Sequence, residues 1–432
     1  MPNIRIINFP IQFILFFFPL IIQAQYKNVK IDEARGAIGP CEPSIAISPL
    51  DPEVMVVGAV LDKVYYSEDG GESWKEKVLE SEYGVWGDPC IVADPKGNFY
   101  YFHLSNPDKN GWFSDTLLDR IICQKSEDGG KSWNSGSYTG LAHPKDQDKE
   151  WAAFNNLNNE LYVTWTQFDS YQSTKPGDST NILFAASKDF GESWTEPVRI
   201  NQIAGNCLDD DLAVEGAVPV VGPEGEIYVA WSRKNDIYFD RSEDNGNTWL
   251  EKDITIASQK SGWNFKIPGI GRANGMPVIA CDVSNGKYKG RIYVNYADQN
   301  LDGSDTDIWL IMSDDKGNTW SDPVRVNNDK SNQHQFFQWM TVDPVTGEIF
   351  IIFYDRRNYT DNQTDVYLAF SKDGGNNFEN IKISDSPFIP REDVFFGDYN
   401  NISAYNGIVR PVWTRMEDRV LSIWTALINL KN

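Results

Sequence analysis

The sequence predicts an all-β fold in which small four-stranded antiparallel sheets close into a ring, a β-propeller. Three observations lead to this fold class. A turn motif recurs six times, an inner strand with a similar start recurs seven times, and short apolar strands lie at regular spacing between them. We expect seven blades, and six blades is the alternative.

The turn motif has the pattern Ser-x-Asp-x-Gly-x-(Ser/Thr/Asn)-aromatic. Its copies begin at Ser67, Ser126, Ser187, Ser242, Ser313 and Ser371. Their aspartates stand 55 to 71 residues apart, which is the length of a small four-stranded sheet. The Asp carboxylate can accept backbone N–H bonds in a turn, and the Gly permits a positive φ. The aromatic residue begins the next strand, where its ring can pack between sheets.

Seven segments, most of which open with a polar residue, are interpreted as the innermost strand, A, of each blade. They begin at Glu42, Asp88, Glu150, Glu215, Met276, Gln338 and Asp398. Each is followed by an apolar strand B, at 54–60, 98–104, 161–166, 227–231, 292–296, 349–354 and 409–413. A strand C then enters the repeated turn, and a strand D leaves it.

The seventh unit contains strands A, B and C, the last at 421–427, and then the chain ends. We expect residues 27–31 to supply its strand D. That pairing would close the ring and remove the open sheet edges, which otherwise invite aggregation.

Composition excludes several functions. The 432 residues carry 62 Asp and Glu against 39 Lys and Arg, a net charge of -23, and this field repels nucleic acids and acidic lipids. Three histidines are too few for a His-rich zinc enzyme. With 41% hydrophobic and 13% aromatic residues, the chain can build a core and is not expected to be disordered.

The first residues are typical of a secretory signal peptide, with one Arg, an apolar run at 7–22 and a small residue at Ala24. A membrane anchor is the alternative, but the run is short and contains two prolines. We therefore expect a leader at 1–24, one propeller domain at 25–432, no membrane span in the mature protein, and a secreted or periplasmic location. The five cysteines are widely spaced, so buried single thiols are the expectation for most of them.

The six turns resemble the Asp-box, or BNR, repeat of the sialidase-like β-propellers, over the chain from about residue 40 onward. The resemblance implies a secreted carbohydrate-active protein, in its most specific form an exo-acting glycoside hydrolase of sialidase type. It implies that the Asp-boxes stabilise the fold and take no part in catalysis. It also implies a carbohydrate substrate or ligand, with no nucleic-acid partner.

Blade geometry sorts the loops between two faces. The A–B and C–D turns, which include the Asp-boxes, lie on one face, and the longer B–C and D–A loops lie on the other. Variable loops on a rigid scaffold are where function concentrates, so we expect the site on the second face.

A retaining sialidase binds its substrate carboxylate with three Arg and uses a Tyr nucleophile, a Glu that activates it and an Asp acid/base. The matching candidates for catalysis are Tyr354, Glu215, Asp88 and Asp355. The candidates for substrate binding are Arg272, Arg356, Arg357, Arg415, His143 and Trp263. The Arg-Ile-Pro motif typical of sialidases is absent, and 36–43 stands at its place, so no catalytic residue is assigned by motif match.

Two other functions remain open. A propeller polysaccharide lyase acting on uronates needs a His or Tyr base and an Arg, and His103, His143, His334, Tyr354 and Arg272 are available for it. A noncatalytic propeller that binds glycans or proteins would use exposed aromatic rings. The candidate rings are Trp86, Trp112, Trp151, Trp263 and Trp339.

No cofactor is required by any of these functions, but one loop has closely spaced carboxylates that suit Ca²⁺. They are Asp298, Asp302, Asp305 and Asp307. The loop lacks the EF-hand spacing and its terminal Glu, and a solvated acidic turn is the alternative.

Overall fold

A computed structural model describes residues 26–34 and 39–430 and confirms the predicted fold class. In that part of the chain, seven four-stranded antiparallel sheets form the blades of a propeller, and two short strands form a separate hairpin. The innermost strands of consecutive blades contact each other, and the first contacts the seventh, so the ring is closed. The leader predicted at 1–24 lies outside the described residues.

The strands follow the predicted order A, B, C, D within each blade. Blade 1 comprises β2 (Ser44–Ile47), β3 (Met55–Ala59), β4 (Lys63–Ser67) and β5 (Lys75–Val78). Blade 2 comprises β6 (Cys90–Ala93), β7 (Phe99–Leu104), β8 (Ile121–Ser126) and β9 (Ser137–Thr139). Blade 3 comprises β10 (Asp146–Asn155), β11 (Glu160–Phe168), β12 (Thr180–Ser187) and β13 (Val198–Arg199). Blade 4 comprises β14 (Glu215–Val221), β15 (Ile227–Arg233), β16 (Asp236–Ser242) and β17 (Ile254–Ser258).

The hairpin of β18 (Asn264–Phe265) and β19 (Ala273–Asn274) precedes the fifth blade. Blade 5 comprises β20 (Val278–Cys281), β21 (Ile292–Gln299), β22 (Thr306–Ser313) and β23 (Val324–Arg325). Blade 6 comprises β24 (Gln335–Val342), β25 (Ile349–Asp355), β26 (Asp365–Ser371) and β27 (Glu379–Lys382). Blade 7 comprises β28 (Asn401–Tyr405), β29 (Ile408–Glu417), β30 (Val420–Asn429) and, from the start of the chain, β1 (Lys27–Ala34).

The closing strand is confirmed and is longer than predicted. β1 runs antiparallel to β30, with Lys27 opposite Leu427 and Ala34 opposite Leu421. The hydroxyl of Tyr65 on blade 1 donates to Oδ2 of Asp32 at 2.5 Å. The first strand therefore completes blade 7 and is also tied to blade 1.

The core lies between the blades, where second strands are buried on both faces. All seven residues of β25 and all six of β7 are buried, which explains why the B strands are continuous apolar runs without alternation. Trp165, Trp231 and Trp413 are fully buried among them. The five cysteines are free and buried, as expected for most of them. No helix in the described ranges has the length and apolar character needed to cross a membrane.

The Asp-box turns owe their shape to one carboxylate and one hydroxyl. In the first copy, Oδ1 of Asp69 accepts from the Ser67 hydroxyl at 2.8 Å and from the Ser73 N–H at 2.9 Å. The Gly71 N–H donates to Oγ of Ser67 at 2.9 Å. The same bonds recur at Asp128, Asp189, Asp244, Asp315 and Asp373. These residues therefore stabilise the fold, on the face opposite the long loops.

One predicted loop is partly a strand. The segment 143–150 was expected to connect blades 2 and 3, but β10 already begins at Asp146, which pairs with Phe168. The register then shifts between Asp148 and Trp151, which marks a bulge. Inside it Lys149 has φ 54°, a left-handed conformation. The bulge turns this part of the innermost strand toward the mouth of the ring.

Candidate functional site

A pocket of about 300 Å³ opens on the face that carries the B–C and D–A loops, opposite the Asp-boxes. Its walls come from blades 1 to 3, with one residue each from the loops before blades 5 and 7. The lining residues are Glu42, Val60, Leu61, Trp86, Asp88, Leu104, Trp112, Leu118, Asp148, Lys149, Tyr171, Arg272 and Phe395. The pocket joins an aromatic wall to a charged floor.

Four aromatic rings form the wall. Trp86 and Trp112 meet edge to face with centroids 5.8 Å apart, and Trp112 stacks on Tyr171 at 6.0 Å. Phe395 lies on the other side, where the Arg272 guanidinium is 5.7 Å from the ring centroid. Amphipathic rings of this kind suit a ligand with both apolar faces and hydroxyl groups.

Two cations and three carboxylates are linked across the floor. The Lys149 Nζ lies 3.1 Å from Oδ2 of Asp88 and 2.9 Å from Oδ2 of Asp398. Arg272 donates from Nε to Oδ1 of Asp398 at 2.9 Å and from Nη1 to Oδ2 of Asp209 at 3.1 Å. Lys149 and Asp398 are buried, whereas 40% of the Arg272 side chain is exposed. Arg272 is therefore the cation of the floor that a ligand reaches most readily.

The floor is built on strained backbone. Glu42, Asp88, Lys149 and Asp209 have φ between 48° and 54°, in the left-handed region that residues other than Gly rarely adopt. Such conformations cost of order 1–3 kcal/mol each and cluster at functional sites. Four charged residues with this conformation around one pocket mark it as a built site.

Ionisation differs between neighbouring groups. Burial, reinforced by the nearby carboxylates Asp88 and Asp209, raises the pKa of Asp148 to about 8. Burial also raises the pKa of Glu42 well above its usual range. Burial opposes ionisation of Asp398 too, but Arg272 and Lys149 outweigh it and lower the pKa of that carboxyl. The floor therefore holds neutral and ionised carboxyl groups side by side at neutral pH.

Two further carboxyls, Glu150 and Glu215, are buried beside the floor. No donor in the described residues reaches the side-chain oxygens of Glu150, and Glu215 lies against the Asp209 carboxyl. Burial raises the pKa of each well above its usual range, with Asp88 contributing at Glu150 and Asp209 at Glu215. Burial outweighs the nearby Lys149 ammonium at both groups, so the protonated form of each carboxyl is favoured.

The structure brings three of the predicted site residues together. Asp88 and Arg272 line the pocket. Glu215 is buried next to Asp209, which Arg272 contacts. The remaining candidates lie elsewhere.

Tyr354, expected as a nucleophile, is 1% exposed and does not line the pocket. Its hydroxyl donates to the Thr414 carbonyl at 2.5 Å, and its ring packs among Phe336, Phe388 and Phe396. Burial raises its pKa well above the usual range. Tyr354 is therefore a core residue between blades 6 and 7, because its hydroxyl is hydrogen-bonded to the backbone and its ring is enclosed by other aromatic rings.

The other three arginines do not converge on Arg272. Each is held locally: Arg357 by Asp355 at 2.6 Å, Arg415 by Glu417 at 2.5 Å, and Arg356 by the Pro268 carbonyl at 2.8 Å. Burial lowers the pKa of Arg356 to about 10. Asp355 pairs with Arg357 and also lies outside the pocket lining.

Four candidates remain. His143 lies at the surface, Trp263 in the core, and His103 and His334 are buried. His143 is exposed on the loop before β10, and Trp263 is 4% exposed in the core. His103 is fully buried between the Leu104 carbonyl and Gln124, and burial lowers its pKa to about 4. Burial lowers the pKa of His334 to about 4 as well. The described residues that line the pocket include no histidine.

The acidic loop proposed for Ca²⁺ is held by protein donors. Oδ1 of Asp298 accepts from Ser261, that of Asp302 from Ser304, and that of Asp307 from Arg325. In residues 26–34 and 39–430, no group of three or more His, Cys, Asp or Glu side chains is arranged to hold a metal ion. The structure therefore does not bring Asp298, Asp302, Asp305 and Asp307 together as a cation site.

Sequence reasoning missed Glu42, Asp148, Lys149, Asp398 and Tyr171 as site residues. A signal was present for two of them, Glu42 and Asp398, because each stands, like Asp88, at the start of a predicted A segment. The contribution of Tyr171 depends on how a long B–C loop folds over the mouth, which repeat position does not reveal.

No family model matches the sequence. Among solved structures, the fold is similar to that of Hadza microbial sialidase Hz136, with a TM-score of 0.51 and 15% identity over 88% of this chain and 75% of that one. It is also similar to the NanB sialidase from Streptococcus pneumoniae in complex with 2-[(3-chlorobenzyl)ammonio]ethanesulfonate, with a TM-score of 0.51 and 8% identity over 87% and 83% of the two chains. At such identities the comparison shows a shared sialidase-like propeller fold and leaves the activity open.

Proposed function

We propose that this protein is a glycoside hydrolase that removes a sugar from the end of a glycan bound in the 300 Å³ pocket. The observation that carries the proposal is the presence in that pocket of two carboxyl groups with different surroundings, Asp148 and Asp88. Glycosidic cleavage needs one protonated and one ionised carboxyl group, and pairs whose environments differ supply those roles. A leader at 1–24 would place the activity outside the cytoplasm.

Asp148 is assigned the role of general acid. Its pKa of about 8, raised by burial and neighbouring carboxylates, keeps it protonated at neutral pH. A protonated carboxyl at the pocket wall can donate to the leaving oxygen as the bond to the sugar breaks. Its peptide neighbour Lys149 is buried with its ammonium against Asp88, so the bulge carries the proposed acid and also contacts the second carboxyl group.

Asp88 is assigned the role of the second carboxyl group. Its Oδ2 lies 3.1 Å from the Lys149 ammonium, in the same pocket as Asp148. A carboxylate facing the sugar stabilises the positive charge that develops at the anomeric carbon, or activates the attacking water. Thus Asp88 keeps its predicted catalytic role, with Asp148 and not Tyr354 as its partner.

The most specific form of the proposal is exo-hydrolysis of sialosides. Two features support it: the sialidase-like fold, and the partly exposed guanidinium of Arg272 in the pocket, which retains free N–H donors for a sugar carboxylate. A neutral terminal sugar is the alternative substrate, because the other three arginines are engaged elsewhere.

Noncatalytic glycan binding is the second candidate function. The observation that favours it is that both floor cations are already paired with protein carboxylates. The aromatic wall alone would then bind the sugar. A uronate lyase is less well supported, since the described pocket lining offers no imidazole base.

The test is hydrolysis of a panel of 4-methylumbelliferyl glycosides, with the sialoside first and neutral hexosides and N-acetylhexosaminides beside it. Wild type should release the fluorophore from at least one of them. Asp148→Asn should lower kcat by about 10²–10⁴-fold, which is the rate enhancement that a general acid usually contributes. Asp314→Asn, whose side chain is 67% exposed and paired with Arg291 away from the pocket, is the matched control and should keep full activity.

Each rival has its own outcome. Silence on the whole panel, together with retained glycan binding, would overturn hydrolysis in favour of a binding propeller. A rise in ultraviolet absorbance on uronate polymers would instead indicate elimination. Full activity of Asp148→Asn would remove Asp148 as the acid.

A further inference from the structure

We propose that Trp112, Tyr171 and the pocket on their far side bind the second sugar of the glycan, so that contacts to this sugar contribute to the turnover of a di- or oligosaccharide. This subsite rests on the proposed function for the first sugar. It deepens that function by assigning the side chains that contact the second sugar.

The geometry that points to it is a second pocket of about 490 Å³ next to the first. Its lining residues are Trp112, Ser114, Leu117, Leu118, Asp146, Tyr171 and Gln172. Trp112, Leu118 and Tyr171 line both pockets, so the two spaces are separated by one layer of side chains. A chain of sugars that extends from the first pocket on this side passes over this layer.

The shared layer contains a stacked aromatic pair, one ring of which is largely exposed. The rings of Trp112 and Tyr171 lie 22° from parallel with centroids 6.0 Å apart, and Trp112 is 65% exposed. The C–H face of a sugar ring is apolar and matches such a surface, while its hydroxyls point sideways to polar groups.

Tyr171 is held rigidly. Its hydroxyl donates to Oδ2 of Asp209 at 2.7 Å, its N–H donates to Oδ2 of Asp146 at 2.7 Å, and its ring meets Phe168 edge to face at 5.1 Å. Because Asp209 also binds Arg272, the platform is joined directly to the charged floor. A rigid platform loses little entropy on binding.

Trp112 is fixed by the turn that carries it. It occupies the 3-10 turn Gly111–Phe113, and its indole packs edge to face on Trp86 at 5.8 Å. Gly111 has φ 54°, and a Cβ there would lie 2.6 Å from the Trp86 ring, so the close approach requires glycine. The same turn exposes Phe113 at 96%, a ring that lines neither pocket.

Polar groups are placed at the edge of the second pocket. Asp146 and the exposed Gln172 offer a carboxylate and an amide, and Ser114 offers a hydroxyl. Together they supply both donors and acceptors, which the hydroxyl groups of a sugar need. The first pocket contains charges and the second mainly neutral polar groups, so a neutral second sugar is the expected occupant.

The experiment compares each aryl monosaccharide with the matching natural glycan: 4-methylumbelliferyl sialoside with 3′-sialyllactose, the β-galactoside with lactose, and the β-N-acetylglucosaminide with chitobiose. An aryl oxide leaves more readily than a sugar alkoxide, so each variant is compared with wild type on the same substrate, by its kcat/KM. Trp112→Leu should lower that value about tenfold on the glycan, the fold-change equivalent to one stacking contact. Gln172→Gly, which suits φ 60° at that position, should lower it without altering the aryl glycoside rate.

Phe113→Leu is the matched control and should change neither rate, and thermal unfolding of each variant checks folding. Equal losses on both substrates in Gln172→Gly, or no loss on the glycan in either subsite variant, would overturn the subsite. If no aryl glycoside is hydrolysed, the proposed hydrolytic function is contradicted but the subsite is not. The subsite is then judged by calorimetric binding of 3′-sialyllactose, lactose and chitobiose, and equal binding by wild type and Trp112→Leu contradicts it.

Discussion

The ammonium nitrogen of Lys149 lies 2.9 Å from Oδ2 of Asp398, although 249 residues separate the two in the chain. Lys149 belongs to the first strand of blade 3, and Asp398 stands just before blade 7. Arg272, from the loop before blade 5, binds the same carboxylate. The pair therefore links distant blades at the mouth of the ring and sets the charge of the pocket floor.

Removing the Lys149 ammonium is expected to destabilise the protein. Lys149→Met leaves Asp88 and Asp398 without this cation, and breaking a buried pair costs about 3–5 kcal/mol. Urea unfolding followed by tryptophan fluorescence measures the loss, with Lys149→Arg as the charge-conserving control. A methionine variant as stable as wild type would mean that Arg272 alone compensates Asp398.

Activity is expected to fall as pH rises through about 8. The acid must be protonated to act, and burial raises the pKa of Asp148 to about 8, so the catalytic form is lost above that value. The measurement is kcat/KM against pH on the best aryl glycoside of the panel. Asp148→Asn should retain a small residual rate with no such alkaline limb. A limb that persists in this variant would assign it to another group.

Stability is expected to fall from pH 5 to pH 8. Burial raises the pKa values of Glu42, Glu150 and Glu215 in the folded state, so the folded chain binds more protons than the unfolded chain above the usual Glu pKa. Stability then decreases with pH by about 1.4 kcal/mol per pH unit for each proton held.

Glu150→Gln tests this stability prediction, because the amide mimics the protonated acid. In urea unfolding, the free energy of unfolding of the variant relative to wild type should be larger at pH 8 than at pH 5. The exposed Glu196→Gln should show the same value relative to wild type at both pH values. Parallel losses at both pH values would indicate that Glu150 is ionised in the folded protein.

The fold could be predicted because each blade repeats its own local chemistry. The Asp-box turns recur with fixed hydrogen bonds, and the expected B strands match β3, β7 and β25 to within a residue at most ends. Even the closing strand was predicted, since a sheet lacking one strand leaves an edge that the free chain start can cover. Strand β10 was expected to start later, because a bulge has no repeat signature.

The site was harder to predict because ring closure, and not sequence distance, decides which loops meet. Asp88 and Arg272 were identified, but their partners Lys149 and Asp398 come from blades far apart in the chain. The expected arginine triad fails to assemble for a local reason. Arg357, in the turn after β25, pairs with Asp355 at the end of that strand, and Arg415 pairs with Glu417, two residues along β29.

An Asp-box carboxylate should contribute to stability and not to activity. Oδ1 of Asp128 accepts from the Ser126 hydroxyl and the Ser132 N–H, both at 2.9 Å. Asp128→Ala should therefore cost about 1–3 kcal/mol in urea unfolding. Asp128→Asn, which keeps one acceptor oxygen, should cost less. Since the turn lies opposite the pocket, kcat/KM of the folded variants should equal that of wild type, and a selective loss of activity would contradict this division of faces.

Closure of the ring by β1 is expected to be essential for a soluble propeller. A chain that starts at residue 39 loses the strand that covers β30 and the bond between Tyr65 and Asp32. The exposed β30 edge would then pair with other molecules. We expect a lower thermal midpoint and concentration-dependent oligomers by light scattering, compared with a chain that starts at residue 26. Adding the peptide 26–38 in excess should restore the monomer. Equal stability and solubility of the two chains would show that blade 7 is stable with three strands.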